Sequence, residues 1–268
     1  MPPPGLRALV RTFPSALLGY SGGVDSAFLA VVLRQELGRD RMLAAIGRSA
    51  SYPEAQWQAA REVAERFDIP VVEVDTHELE DPSYLANPTN RCFFCKTELW
   101  GRLVPLARAR GFAVVCDGTN ADDLREHRPG RAAGQQAGIR SPLAEAGLTK
   151  AAIRDASRAL GLPTWDAPAA PCLSSRVQYG LQITPARLQR VEQAEAFLRD
   201  LDGGVRGDLR VRHRGGDTAR IEVEPEWIPW VEARLTTITA RLVALGFARI
   251  EVDPRGYRRG SLLEPSSP

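Results

Sequence analysis

A glycine-bearing run, Ser21-Gly-Gly-Val-Asp-Ser26, directly follows a short apolar segment and leads into a stretch with helical apolar spacing. Glycine lets the backbone turn tightly and approach a ligand, and the free amide groups at a helix N-terminus point at an anion. The run therefore predicts a phosphate cradle, although a turn that only links strand and helix is the simpler alternative. Because no Lys-Ser/Thr pair follows at the required spacing, the cradle is not of the Walker type. Its predicted ligand-binding residues are Ser21, Gly22, Gly23, Asp25 and Ser26.

The cysteines are the second group able to do chemistry. Cys92 and Cys95 are separated by two residues, a spacing that suits zinc, a redox couple or an iron–sulfur cluster. Cys172 lies in a proline-flanked segment beside Arg176, the type of exposed, electropositive setting that favours a thiolate. Cys116 ends an apolar segment, and we predict that it is a small buried hydrophobic residue.

Alternating strands and helices must position these groups. The apolar patterns predict strands at 15–20, 42–46, 69–74 and 112–116, and helices at 25–37, 53–67 and 96–110. This alternation predicts an α/β fold with a doubly wound parallel sheet, in which ligands bind at the carboxyl ends of the strands.

The rest of the chain predicts a functional loop and a second domain. Residues 118–147 are polar and rich in glycine and proline, which is typical of a long functional loop. A helix at 149–160, with Thr149 as its N-cap, precedes an extended stretch at 166–176. We expect one domain at 1–178 and a smaller α+β domain at 179–268, with helices at 185–201 and 227–245 and strands at 209–213, 219–223 and 249–252.

The motifs resemble those of known families. The cradle is similar to the PP-loop of ATP pyrophosphatases. Four further runs resemble the LarE family of ATP-dependent sulfur transferases, which make pyridinium-3,5-bisthiocarboxylic acid mononucleotide. These runs are Asn90-Arg-Cys-Phe-Phe-Cys-Lys-Thr-Glu-Leu99, Asp117-Gly-Thr-Asn-Ala-Asp-Asp123, Pro171-Cys-Leu-Ser-Ser-Arg176 and Gly256-Tyr-Arg-Arg-Gly-Ser261. With the PP-loop they span nearly the whole chain in the family's order.

The resemblance implies a reaction. ATP, with Mg²⁺, activates each carboxylate of a pyridinium dicarboxylic acid mononucleotide as an adenylate, and sulfur then converts it to a thiocarboxylate in nickel-pincer nucleotide synthesis. Asp25 would orient either Mg²⁺ or the loop itself. The resemblance also assigns Gly19 to the ATP site and places Ala45-Ile46-Gly47 beside the adenine.

The resemblance offers two sulfur sources. In one branch a sacrificial cysteine, here Cys172, gives up its sulfur; in the other, three cysteines hold a [4Fe-4S] cluster that carries an extra sulfide. Because Cys92, Cys95 and Cys172 occupy all three matching positions, we favour the cluster, recharged by sulfide or another sulfur donor. Zinc completed by His77 or His127 is the simpler alternative.

The remaining candidates are polar residues. The resemblance places Glu126 and Arg128 at the active site, although solvated loop charges are an alternative. Arg210 and Arg212 alternate with apolar residues, which places both on one face of a strand. There they either bind the nucleotide phosphate or form the solvent-exposed face of an edge strand. Glu195 and its neighbour Glu192 share a helical face, which we expect to be solvated. The predicted phosphate-binding residues are Ser175, Arg176, Arg210, Arg212 and Arg258.

Composition limits the function classes. The net charge of +2 does not call for a nucleic acid, and no apolar run is long enough for a membrane. We expect a cytoplasmic enzyme that forms a homo-oligomer. A tRNA thiolase of the same superfamily would need a basic RNA surface. An amidotransferase-type pyrophosphatase has no use for the three cysteines, and a regulatory protein that has lost catalysis has no use for an intact cradle.

Overall fold

A computed structural model describes residues 2–125, 128–169, 171–258 and 260–263, and the elements given below are those of these residues. The chain is divided into two compact units. The first comprises the described residues of 1–84 and 90–170, and the second those of 85–89 and 171–268. The division at 178/179 that the sequence suggests stays a prediction.

The first unit is built on alternating strands and helices, as predicted. Its strands are β1 (Ala16–Gly19), β2 (Met42–Arg48), β3 (Val71–Asp75) and β4 (Val114–Cys116). Its helices are α1 (Pro4–Arg11), α2 (Val24–Leu37), α3 (Glu54–Arg66), α4 (Pro82–Leu85, whose last residue clusters with the second unit), α5 (Arg91–Ala109), α6 (Pro129–Gln136), α7 (Pro142–Glu145) and α8 (Lys150–Ala159).

The four strands form a parallel sheet in the order β3-β2-β1-β4. Side chains alternate across it, so that Leu18 joins a core with α1, α2, α3 and α8, whereas Leu17 joins a separate core with α5 and α6. Helices therefore cover both faces, which confirms the predicted fold class. The strand order changes direction between β1 and β4, and in such sheets a ligand crevice opens at the carboxyl ends of those two strands.

Proline explains two differences from the predicted elements. The N-terminal segment forms α1, because Pro4 stands at a first helical position, where its missing N–H costs nothing. The polar stretch 118–147 is not one long loop, since Pro129 and Pro142 begin α6 and α7 in the same way.

Two other helices also differ from prediction. Helix α5 begins at Arg91 rather than at Lys96, so both cysteines of the pair are helical. The predicted helix 227–245 is broken at Arg234, whose φ of −112° and ψ of 9° end one helix before the next begins.

The second unit is a small α+β layer. It contains helix α9 (Pro185–Asp200), strands β5 (Leu209–Arg214) and β6 (Thr218–Val223), helices α10 (Ile228–Ala233) and α11 (Leu235–Ala244), and strand β7 (Arg249–Val252). Strand β6 is central, antiparallel to β5 and parallel to β7.

A five-residue segment from earlier in the chain, Leu85–Thr89, completes this second unit. Its Asn87 is fully buried, and its Nδ2 donates to the carbonyl oxygens of Val177 (3.3 Å), Gln178 (2.8 Å) and Leu181 (3.0 Å). This one amide therefore anchors the segment to the loop after Arg176.

None of the helices in the described parts of the chain combines the length and the apolar character needed to cross a bilayer.

Candidate active site

The glycine-bearing turn between β1 and α2 has the backbone that the sequence predicts. Gly22 has a φ of +70°, and a Cβ there would lie 2.4 Å from the Cβ of Ala60, so position 22 requires glycine on two grounds. Gly23 has an extended conformation and is the N-cap of α2. The turn thus leads directly into the N-terminus of a 14-residue helix, where unpaired amide groups attract anions.

Hydroxyl groups close the turn on itself. The Ser26 Oγ donates to the Gly23 carbonyl oxygen at 3.1 Å, lies 3.1 Å from the Ser21 Oγ, and accepts from the Ser21 amide at 3.3 Å. From outside the turn, the Tyr52 hydroxyl (2.9 Å) and the Gln56 Nε2 (2.7 Å) both donate to the Ser21 carbonyl oxygen. These hydrogen bonds join the five residues in one network around the turn.

A lysine that sequence reasoning missed lies at this turn. Lys150 Nζ donates to Asp25 Oδ2 at 2.6 Å, while Asp25 Oδ1 is buried and has no hydrogen-bond partner among the described residues. The backbone amide of Lys150 donates to Asp122 Oδ2 at 2.7 Å. A signal for this role existed, because a lysine at a helix N-terminus opposes the helix dipole. Lys150 directly follows Thr149, the predicted and observed N-cap of α8, whose side chain accepts from the Ala152 amide.

The end of β4 packs against the turn. A Cβ on Gly118 would lie 2.9 Å from the Ser26 amide nitrogen, so only glycine allows this approach. The carboxylate of Asp117 accepts from the Thr119 amide (3.0 Å), the Thr119 hydroxyl (2.8 Å) and the Ser141 hydroxyl (2.8 Å). The Asp117-Gly-Thr-Asn run is therefore hydrogen-bonded within itself and to Ser141, and it packs against the N-terminus of α2.

The residues expected near the adenine lie on the two central strands. Ile46 in β2 is fully buried, and Gly19 ends β1 at a point where a Cβ would lie 2.7 Å from the ring of Trp100. Gly47 is equally confined, since its Cβ would meet Leu99 at 2.7 Å. The structure places these residues at the carboxyl edge of the sheet, and their assignment to the ATP site stays a prediction.

The paired cysteines lie in the first turns of α5. Cys92 is exposed and Cys95 is partly exposed, whereas Cys116 is fully buried, as predicted, and its burial raises the pKa of the thiol well above the ordinary range. Among the described residues, no three His, Cys, Asp or Glu side chains are gathered as a metal site.

In the second unit, Cys172 precedes a short turn, Leu173–Arg176, that arginine pins in place. The Cys172 carbonyl oxygen accepts from the Ser175 hydroxyl (2.7 Å) and from Arg176 Nη1 (3.1 Å), while the thiol side remains partly exposed. The Cys172 backbone is thus fixed by the two residues that the sequence assigns to phosphate binding.

Arg176 is itself held by a buried carboxylate. Its Nε and Nη2 each donate to one oxygen of Glu195, both at 3.0 Å, and Glu195 also accepts from the Val211 amide at 3.0 Å. Burial lowers the pKa of Arg176, but the attraction of Glu195 outweighs it and the pKa is raised overall. The expectation that Glu195 is solvated is wrong, because a buried guanidinium needs this partner.

Arg210 and Arg212 are buried as well, with residue exposures of 2% and 6%. The alternative that they form a wet edge-strand face is therefore wrong. Arg212 donates to Glu222 Oε2 (2.8 Å), the Ser175 carbonyl oxygen (2.9 Å) and the Ser261 hydroxyl (3.0 Å).

Arg210 has the less favourable electrostatic surroundings for a charged guanidinium. Its Nη1 donates to the Leu209 carbonyl oxygen (2.7 Å), its Nη2 lies 3.3 Å from Asp208, and its guanidinium lies over the ring of Tyr257. Burial, together with the charge of nearby Arg176, lowers the pKa of Arg210. The cluster is charge-compensated, since Glu195, Asp208 and Glu222 each pair with one of the three arginines, and its assignment to phosphate binding stays a prediction.

The last two predicted groups are placed differently. Arg258 Nη2 lies 3.3 Å from Asp253 Oδ2, and its Nη1 donates to the Gly256 carbonyl oxygen at 2.8 Å. Arg128 forms an ion pair with Asp123 at 2.7 Å. Glu126, predicted to be catalytic, lies outside the described residues, as does His127.

Fold and site together define the class of protein. A buried parallel strand, a glycine turn and a helix N-terminus at the edge of a doubly wound sheet are the features of a PP-loop nucleotide-binding domain. In agreement, the NAD synthase family profile, a PP-loop family, matches residues 6–87.

Full-length relatives define the family. The chain is 30% identical to pyridinium-3,5-bisthiocarboxylic acid mononucleotide synthase of Lactiplantibacillus plantarum, over 96% of this chain and 92% of that protein. It is also 42% identical to an uncharacterised protein of Synechocystis sp., over 96% and 95% of the two chains, and 27% identical to one of Methanocaldococcus jannaschii, over 90% of each. The chain belongs to the LarE family, which supports a sulfur transferase of pincer-cofactor synthesis.

Proposed function

We propose that this chain is an ATP-dependent sulfur transferase that converts the carboxylates of a pyridinium dicarboxylic acid mononucleotide to thiocarboxylates. The observation that carries the proposal is the prearranged turn Ser21–Ser26, with Lys150 bound to its Asp25, in a chain related over 96% of its length to a synthase of that product.

The first step is adenylation. A carboxylate oxygen of the substrate attacks the α-phosphorus of ATP, the bond from that phosphorus to the bridging oxygen breaks, and pyrophosphate leaves with the electron pair. Amide groups of the turn and the ammonium of Lys150 stabilise the charge that develops on the leaving pyrophosphate. Asp25, whose Oδ1 is buried without a described partner, is the group suited to Mg²⁺ or its water shell.

The second step is sulfur transfer. A sulfide attacks the carbonyl carbon of the acyl adenylate, the carbon–oxygen bond to AMP breaks, and AMP leaves as the thiocarboxylate forms. We assign the phosphate of the mononucleotide to the buried arginines of the second unit, Arg176, Arg210 and Arg212, because guanidinium groups are strong phosphate ligands. A bound phosphate would share these arginines with their carboxylate partners Glu195, Asp208 and Glu222.

We propose that Cys92, Cys95 and Cys172 hold a [4Fe-4S] cluster, which would supply a sulfide carried on the iron that protein thiolates leave open. Support for this comes from the family motifs, from the exposure of Cys92 and from the partial exposure of Cys95 and Cys172. A sacrificial Cys172 without a cluster is the competing form of the same enzyme.

Pyrophosphate release tests the adenylation step. Purified protein with ATP and Mg²⁺ should release pyrophosphate when the carboxylated pyridinium mononucleotide is added, and the product should gain sulfur by mass spectrometry. Release that depends on tRNA instead would contradict the proposal and favour a tRNA thiolase.

Anaerobic purification tests the sulfur source. A cluster predicts brown protein with about four irons per chain and its loss in Cys92→Ser, Cys95→Ser or Cys172→Ser. Colourless protein that loses the mass of one sulfur at Cys172 after turnover would contradict the cluster and identify sacrifice.

A further inference from the structure

A buried carboxylate that the proposed reaction does not use lies beside the ATP turn. Glu78, in the short helical turn Glu78–Glu80 after β3, is 2% exposed. Its Oε1 accepts from the hydroxyls of Ser49 (2.5 Å) and Ser51 (2.8 Å). Its Oε2 is buried and has no hydrogen-bond partner among the described residues. The carboxylate is thus only half satisfied.

A half-satisfied buried carboxylate lowers the free energy of unfolding, so stability does not explain it. A buried acid group with an unpaired oxygen destabilises a fold relative to an apolar side chain of the same size. Buried groups left partly unsatisfied call for a specific explanation, and functional positioning is one. Glu78 therefore needs a role that its contacts can explain.

Its contacts lead to the ATP turn. Ser49 and Ser51 bracket the bend that follows β2, and their hydroxyls lie 3.0 Å apart. The hydroxyl of the next residue, Tyr52, donates to the Ser21 carbonyl oxygen. The Nε2 of Gln56, in the helix that follows this bend, donates to the same oxygen. Holding the bend at Glu78 therefore holds the two donors on Ser21.

The Ser21 carbonyl sets the direction of a ligand-binding amide. The peptide unit is planar and trans, so the carbonyl of Ser21 and the N–H of Gly22 point in opposite directions. With its carbonyl fixed on Tyr52 and Gln56, this peptide aims the Gly22 N–H away from them. A peptide free to rotate would lose that direction, because Gly22 has no side chain to restrict it.

We infer that Glu78 is a positioning residue for ATP: through the Ser49–Ser51 bend and Tyr52 it orients the Ser21–Gly22 peptide that receives the pyrophosphate half of the nucleotide. This inference rests on the proposed function and adds a residue to it that has no contact with the turn itself.

The test compares Glu78→Gln with the matched control Glu80→Gln, an exposed carboxylate on the same helical turn with 77% side-chain exposure. The full chain is titrated with Mg²⁺ and a non-hydrolysable ATP analogue by calorimetry at 10 °C, below any unfolding transition. Glu78→Gln should weaken binding about tenfold, because a neutral amide oxygen holds the hydroxyls of Ser49 and Ser51 less tightly than a carboxylate does, and it should raise KM for ATP more than it changes kcat. Glu80→Gln should bind as the wild type does.

A substitution cycle separates positioning from general support of the fold. If Glu78 acts through Tyr52 and Gln56, adding Glu78→Gln to a chain that already carries Tyr52→Phe and Gln56→Ala should weaken binding no further. Ser51→Ala, a milder change in the same network, carries the same cycle if Glu78→Gln does not fold.

Two results would overturn the inference: wild-type affinity in a folded Glu78→Gln whose melting temperature alone is lowered, or affinity losses that multiply in the cycle. A wild-type chain that binds no ATP analogue would instead contradict the proposed function, and this inference with it.

Discussion

Replacing Gly22 by alanine should disable the turn through two separable costs. An L-residue at φ +70° costs about 1–2 kcal/mol, and forcing a Cβ to within 2.4 Å of the Ala60 Cβ adds about 1–3 kcal/mol of overpacking. The sum predicts that Gly22→Ala lowers the free energy of unfolding by about 2–5 kcal/mol. The same displacement should weaken ATP binding at least about tenfold, since the amide groups no longer converge.

A matched control isolates the two costs. Gly138 has the same φ of +70° at the end of α6 but no neighbouring atom within 4 Å of its added Cβ, so Gly138→Ala should cost only about 1–2 kcal/mol. Ala60→Gly in the Gly22→Ala background removes the 2.4 Å contact but leaves the Cα of residue 60 at 2.9 Å, so it should recover only part of the overpacking cost, about 1 kcal/mol.

Urea unfolding followed by tryptophan fluorescence measures the stabilities, and calorimetry measures ATP affinity. If Gly22→Ala destabilises no more than Gly138→Ala, and Ala60→Gly recovers nothing, the close packing of α3 against the turn does not limit position 22.

Three further predictions concern charge. Glu195→Gln should lower the free energy of unfolding by about 3–5 kcal/mol, because it leaves the buried Arg176 unpaired, and denaturant midpoints that barely move would contradict the buried pair. His213 in β5 is fully buried, and burial lowers the pKa of its imidazole, so the unfolded chain takes up the proton first as pH falls below about 6.5. The contribution of the neutral imidazole to the free energy of unfolding is full above that pH and is lost below it. His213→Phe should therefore flatten the profile of urea midpoints between pH 7 and 5. Lys150→Met should raise KM for ATP about tenfold in pyrophosphate release, with Lys150→Arg retaining most affinity, whereas an unchanged KM would remove Lys150 from the site.

An exposed ion pair provides the control for the buried one. Asp202 lies 3.3 Å from Arg234 with 66% side-chain exposure, so Asp202→Asn should change the free energy of unfolding by less than about 1 kcal/mol.

Local signals predict the backbone of the turn Ser21–Ser26 well. The run Ser21–Ser26 needs only its neighbours to be interpreted, because a buried strand before it and a helix after it are both visible in the apolar pattern. The alternation of elements likewise predicts the doubly wound sheet, since each strand is short, apolar and followed by helical spacing.

Ion pairs between residues distant in the chain could not be predicted from the sequence. Lys150 is 125 residues from Asp25, and no local pattern joins them. Arg210 and Arg212 show the same limit. Alternation places them on one face of the strand, but only the fold reveals that this face is buried and that Glu222 is the partner of Arg212. Charged residues are usually exposed, so their burial depends on partners distant in the chain.

The segment Leu85–Thr89 restricts how the protein can be dissected. The chain passes between its compact units at 84/85, 89/90 and 170/171, so a cut at one point does not release either unit whole. A fragment starting at Pro171 would lack Asn87 and leave the carbonyl groups of Val177, Gln178 and Leu181 without their donor. A separately expressed second unit should therefore include residues 85–89, joined to Pro171 by a linker. Truncated forms of the chain that omit these five residues should aggregate instead of folding.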